Sequence, residues 1–266
     1  MHDFARYAEV AQRAVDEASN VARKSFGQTM SVEVKGPRGD VVTAVDHACE
    51  ALIVGILHEA FPSHVVEAEE SGRHFGESDL VWLVDPLDGT NNYANGLPLY
   101  GTAVTLCHRG EPVVAAIGEA HTGDVACAIL GQGVRINGKP FTPRTIVERQ
   151  MPATALWIGY ESQYDARLLA INTTLYAQSR RLFSTWAPTI DVFLYLRGGL
   201  DAVIAYQCSG TELLGSLLII REAGGEIRAA DGTTVGSLSE LPDLSFAGDP
   251  VATLPLINAY GLTISR

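Results

Sequence analysis

The stretch WLVDPLDGTNNY, residues 82–93, sets two aspartates three positions apart, with a proline between them and Gly-Thr directly behind. The run LVWLV at 80–84 is apolar, β-branched and aromatic, which suits a strand that delivers Asp85 at its end. Pro86 stiffens the exit, and a tight turn then points Asp88 back toward Asp85. Two carboxylates and the Leu87 carbonyl on one turn are hard oxygen ligands of the kind Mg²⁺ takes, with water in its other positions. If a helix begins at Gly89 and Thr90, their N–H groups are free for a phosphate oxygen. Asp-Pro-x-Asp-Gly is also ordinary turn chemistry, so the motif alone does not separate a turn from a site.

The flanks give the frame. Upstream, Phe4, Tyr7, Ala8, Val10, Ala11, Ala14, Val15, Ala18 and Val21 recur at helical spacing and predict a helix over 4–26, ended by Gly27. SVEVK (31–35) alternates like a strand, and a glycine-rich charged loop follows at 35–40. Thr43 with Asp46 three residues on predicts an N-cap pair opening a second helix that runs to Ala60, with Pro62 closing it. Apolar runs at 65–66, 80–84, 99–107 and 112–117 read as strands, and Asn137-Gly138 predicts a hairpin that closes a β-meander near 142. The second half alternates strand (154–159), helix (164–179), strand (181–184), helix (188–198), strand (201–206), helix (212–223), strand (225–229) and a last helix near 250–260. That alternation implies sheets covered by helices. A Pro/Thr/Arg patch at 140–145 marks the expected lobe boundary, dividing the chain into 1–142 and 143–266.

Composition narrows the function classes. The 266 residues are 47% hydrophobic, enough for a large core, and carry 31 Asp+Glu against 19 Lys+Arg. This acidic balance argues against a nucleic-acid partner. An acidic protein can still act on a small anion if bound cations reverse the local field. Cys49, Cys107, Cys127 and Cys208 show no CxxC spacing and are expected as buried reduced thiols. The N-terminus lacks the apolar core of a signal peptide, and no window reaches the length of a membrane helix, so a cytoplasmic location with no membrane partner is expected. There is no GxSxG, no Walker A sequence and no second histidine after HEAFP (58–62), and the 85–96 loop lacks the closing acid of an EF-hand.

Glu69 and Glu70 in VVEAEES and Glu212 before REAGGEI have ordinary readings singly, as a solvated face and a helix-end charge. Together, DVVTAVD (40–46), EAEES (67–71), WLVDPLDGTNNY (82–93) and GTELLGSLLIIREAGG (210–225) resemble, in order and spacing, the signatures of the inositol monophosphatase family of metal-dependent phosphatases. The resemblance spans residues 4–260. It implies an α/β (α+β) fold, the layered α/β/α/β/α sandwich of the inositol monophosphatase / fructose-1,6-bisphosphatase type. It also implies a homodimer and a small phosphorylated metabolite as substrate.

By the same resemblance, Glu69, Asp85 and the Leu87 carbonyl hold a first Mg²⁺, and Asp85, Asp88 and Glu212 a second; Glu69 also touches a third ion. One cation lowers the pKa of a water while another stabilises the departing oxygen. Thr90, paired with Asp46 or Glu69, orients that water, and no covalent phosphoenzyme is expected. The Gly89 and Thr90 N–H groups hold the phosphate, with Asp88 and Glu212 also at the substrate.

Three departures stand out. Thr211-Glu212 replaces the family's Trp-Asp. Trp186-Ala187-Pro188-Thr189 replaces a Gly-Ser/Thr-Ala-Ala run, and Ala205 stands where inositol-specific members present a glutamate to ring hydroxyls. The expected consequence is a pocket suited to a flat group stacked on Trp186, unless Trp186 faces the core.

Overall fold

The computed structural model describes residues 3–28, 32–35, 41–142, 151–208 and 210–264. In chain order the elements are α1 (Phe4–Ser25), β1 (Val32–Val34), β2 (Val41–Thr43), α2 (Ala44–Ala60), β3 (Val65–Ala68), β4 (Gly72–His74), β5 (Leu80–Asp88), α3 (Thr90–Ala94), β6 (Gly101–His108), β7 (Glu111–Glu119), β8 (Asp124–Ile129), β9 (Val134–Ile136) and β10 (Lys139–Pro140). There follow β11 (Ala153–Ile158), α4 (Ala166–Gln178), β12 (Arg181–Phe183), α5 (Pro188–Leu196), β13 (Ala202–Tyr206), α6 (Leu213–Glu222), β14 (Glu226–Ala229), β15 (Leu244–Gly248) and α7 (Pro250–Ile264). An eight-stranded sheet has the order β10-β9-β8-β7-β6-β5-β3-β4, and a five-stranded sheet the order β12-β11-β13-β15-β14.

Strand alternation builds five layers. Val66, Trp82, Val84, Val104 and Leu106 turn one face of the larger sheet toward α1 and α2, which answer with Ala11, Val15, Ala18, Ile53 and Leu57. On the opposite face, Ala103, Ala115 and Ile117 meet α5 and α6 through Phe193, Leu217 and Leu218. The same helices are covered from the far side by Ala153, Ala155, Trp157 and Val203 of the smaller sheet. The intervening residues Leu156, Ile204, Tyr206 and Phe246 point outward onto α4 and α7. The result is helix, sheet, helix, sheet, helix.

Several expectations are refined. The first strand carrying the motif does not stop at Asp85 but continues to Asp88, with a register shift against β6 between those two residues. This is bulge geometry, and it suits a proline that has no N–H for the ladder. The meander resolves into β6 to β10, and Asn137 (φ 50°) with Gly138 (φ 74°) makes the left-handed turn between β9 and β10. β2 and β15 were not expected, and β15 sits inside its sheet, antiparallel to β13 and β14. Cys208 is half-buried, unlike the three fully buried cysteines; burial pushes all four thiols up to about 12. Most of the loop read at 35–40 and the patch at 143–145 lie outside the described residues. No helix among the described residues is long and apolar enough to cross a membrane.

Candidate active site

The ends of β3, β5, β11 and β13 and the starts of α3, α5 and α6 meet around a cleft of about 490 Å³. Glu69, Asp85, Leu87, Asp88, Gly89, Thr90, Trp186 and Glu212 all line it. Residues 68–90 come from the larger sheet and residues 156–212 from the smaller one, so each sheet supplies part of the wall.

The bulge holds its shape through side chains. Asp85 Oδ1 accepts the Leu87 N–H at 3.0 Å, and Thr102 donates to the Pro86 carbonyl at 3.1 Å. Gly89 then turns with φ 85°, where an added Cβ would lie 2.7 Å from the Leu99 carbonyl oxygen, so glycine is required twice over. The helix that follows is a single turn, so any anion it meets sees local N–H groups rather than a long helix dipole.

Asp46 lies under this turn. Its Oδ2 closes the capping box, accepting from the Thr43 N–H at 2.9 Å and hydroxyl at 2.5 Å. Its Oδ1 accepts from Thr90 Oγ1 at 2.8 Å, the same hydroxyl that reaches the Leu87 carbonyl at 2.8 Å. One hydroxyl proton is shared between two acceptors. The arrangement fixes Thr90 with its oxygen lone pairs turned away from Asp46.

Asp88 is pinned by a residue that the sequence reading passed over. Thr189, at the start of α5, donates its N–H at 2.7 Å and its hydroxyl at 2.5 Å to Asp88 Oδ2. The only local signal was the Trp-Ala-Pro-Thr run, in which Pro188 starts the helix and leaves the next N–H pointing outward. Lys35 is a second omission: its ammonium lies 3.3 Å from Glu69 Oε1 and pairs with Glu70.

The electrostatics are those of crowded carboxylates. Burial first, then Glu69, Asp88 and Glu212, push the Asp85 carboxyl well above the usual range, and it hydrogen-bonds to Glu69. Burial and then Glu212 raise Asp88 despite the Thr189 donors. Burial pushes Glu212 up to about 7. Among the described residues, no Lys or Arg side chain lines the cleft itself. The carboxylates and the Leu87 carbonyl are hard oxygen donors that fit Mg²⁺, and burial keeps the Cys208 thiol that also lines the cleft in its protonated form. No three of the described His, Cys, Asp and Glu side chains converge as a ready-made cage.

Trp186 is 39% exposed, holds a left-handed φ of 56° and faces the cleft, not the core. Ala205 does not reach this cleft. The strand period turns it into the middle core, where it borders a neighbouring cavity of about 440 Å³. That cavity shares Gln207, Cys208, Gly210 and Thr211 with the cleft.

Beside the cleft, Asp191 of α5 is fully buried. Its Oδ2 accepts from Trp157 Nε1 and Thr185 Oγ1, both at 2.9 Å, while Oδ1 has no partner among the described residues. Burial pushes it from 3.8 up to about 7. The folded protein thus holds a proton that the unfolded chain releases, so this group stabilises fully below about pH 4 and the contribution is lost as the pH passes about 7. The fall amounts to at most about 4 kcal/mol. Thermal unfolding in metal-free buffer at acid and mildly alkaline pH should show a shallower loss of stability for Asp191→Asn than for the wild type; equal slopes would refute the assignment.

The sequence model of the inositol monophosphatase family matches residues 3–259. The protein named "Nus factor SuhB" of Salmonella typhimurium is 30% identical over 222 residues, covering 81% of this chain and 82% of its own. "Fructose-1,6-bisphosphatase/inositol-1-monophosphatase" of Aquifex aeolicus is 28% identical over 228 residues, covering 85% and 86%. The crystal structure of the extragenic suppressor protein suhB from Bartonella henselae superposes with a TM-score of 0.85 at 22% identity, over 96% of this chain and 98% of the other.

Proposed function

The chain belongs to the inositol monophosphatase family, and from that membership we propose that it is a Mg²⁺-dependent phosphomonoesterase acting on a small phosphorylated polyol, sugar or nucleotide-like metabolite. The observation that carries the proposal is the set of four carboxylates, Glu69, Asp85, Asp88 and Glu212, lining one cleft beside Thr90 and Gly89. Two to three bound Mg²⁺ would make an attacking water acidic and neutralise charge on the phosphoryl and departing oxygens. Glu69, Asp85 and the Leu87 carbonyl are the proposed ligands of one ion, and Asp85, Asp88 and Glu212 of another.

The chain's own residues do the positioning. Thr90, held by Asp46, offers lone pairs to orient a water for in-line attack, and Thr189 keeps Asp88 from rotating away. The Gly89 and Thr90 N–H groups are the proposed donors to phosphate oxygens. The proposal includes a homodimer, as the family resemblance implies, which light scattering on the purified protein checks.

Phosphate release from a panel of phosphomonoesters in saturating Mg²⁺ tests the activity. Trp186, at the wall of the cleft, supports selection of a planar leaving group. Stacking on an indole contributes about 0.5–1.5 kcal/mol beyond area burial, so Trp186→Ala should lower kcat/KM for nucleoside monophosphates by about 2- to 12-fold and leave inositol 1-phosphate nearly unchanged. A preference for inositol 1-phosphate that the variant does not alter would refute this selectivity. A second reading, a scaffold that keeps the fold without turnover, is motivated by the Salmonella relative, whose name is not that of a phosphatase. It predicts no release from any member of the panel.

A further inference from the structure

Glu212 is the last residue before α6, and its backbone has little freedom. The Ser216 N–H bonds to the Glu212 carbonyl at 3.0 Å, and the Leu213 N–H to the Gly210 carbonyl at 3.2 Å, so residues 210–216 form one continuous turn into the helix. The helix itself is pressed against the larger sheet, where a Cβ on Gly215 would collide with Thr105 and come within 3.4 Å of Ala115 Cβ. The position of the Glu212 carboxylate is therefore set by how its side chain folds and not by sliding of the helix.

Gly210 decides that folding. A Cβ placed there would lie 2.5 Å from Glu212 Cδ and closer still to both carboxylate oxygens, with nothing else among its three nearest atoms. Gly210 does not have the left-handed φ that excludes other residues. Alanine would thus suit the backbone, and what it would displace is the far end of a flexible side chain. The glycine is not needed by the chain's path; it is needed by the carboxylate two residues on.

We propose that Gly210 is a positioning residue for the Glu212 carboxylate: by leaving the space of one Cβ empty, it lets a side chain one methylene longer than the family's aspartate fold back and present its oxygens at the cleft. The inference rests on the proposed metal-binding role of Glu212. It makes Gly210 and Glu212 a coupled pair, so a change at one alters what the other tolerates.

Four proteins test it: wild type, Gly210→Ala, Glu212→Asp and the double variant. Mn²⁺ binding is measured by calorimetry without substrate, and unfolding temperature in EDTA. Gly210→Ala should unfold at the wild-type temperature in EDTA yet bind Mn²⁺ about tenfold more weakly at one site, an effect of the size seen when residues supporting metal ligands are changed. In the Glu212→Asp background, whose shorter carboxylate does not extend over residue 210, the same alanine should change affinity by less than about twofold. Wild-type affinity in Gly210→Ala, or an equal loss in both backgrounds, overturns the coupling while the metal site stands. A wild-type protein that binds no Mn²⁺ overturns both.

Discussion

Asp85→Asn should abolish turnover while leaving the fold intact, and in EDTA it should raise the unfolding temperature. The two effects have opposite signs for one physical reason. Asp85 is 3% exposed, and burial and the neighbouring Glu69, Asp88 and Glu212 all disfavour its charged form. Asparagine keeps an oxygen for the Leu87 N–H and spares the folded protein the cost of burying an ionisable carboxyl among Glu69, Asp88 and Glu212. The same removal takes away the carboxylate proposed to bridge two ions, so the rate should fall about 10³-fold or more, on the order of 4 kcal/mol. Steady-state kinetics in saturating Mg²⁺ check the first effect and calorimetric melting in EDTA the second. A wild-type kcat would remove Asp85 from the proposed metal site.

Glu69→Gln should be nearly as damaging to turnover but almost silent in stability. Glu69 stands at the exposed rim of the cleft, paired with Lys35 and hydrogen-bonded to Asp85. An exposed ion pair contributes at most about 1 kcal/mol, and glutamine retains an oxygen for the lysine. What glutamine lacks is the negative charge for a divalent ion, so kcat should fall about 10²- to 10³-fold and the Mg²⁺ needed for half-maximal rate should rise. Kinetics across a Mg²⁺ titration read both changes. A fall in rate that excess Mg²⁺ fully reverses would restrict Glu69 to binding the ion.

Local chemistry was legible in the sequence where one residue carries one signal. Thr43 and Asp46 announced the start of α2 because a capping box is a four-residue pattern. Asn137-Gly138 announced its hairpin because few other residues accept two successive left-handed conformations. The four acidic positions and their order were likewise readable, as was the alternation that makes the layers. What stayed hidden depends on contacts between distant positions. The second role of Asp46 needs Thr90, 44 residues away, and the clamp on Asp88 needs Thr189, 101 residues away. β15 escaped because LSFAG is a short apolar run broken by Ser245, with nothing local to mark it as an inner strand. Strand register, and not its place in the motif order, decides which cavity Ala205 borders. Trp186 could have faced either way by sequence; its left-handed backbone turns it to the cleft.

In the proposed reaction the carboxylate cleft hydrolyses phosphomonoesters through bound divalent cations. Phosphate release by the wild-type protein on its best panel substrate, measured after EDTA treatment and again after Mg²⁺ is restored, tests it most directly. No release above background is expected in EDTA, and full recovery is expected with Mg²⁺. Release that persists in EDTA, or none at any Mg²⁺ concentration, would contradict it.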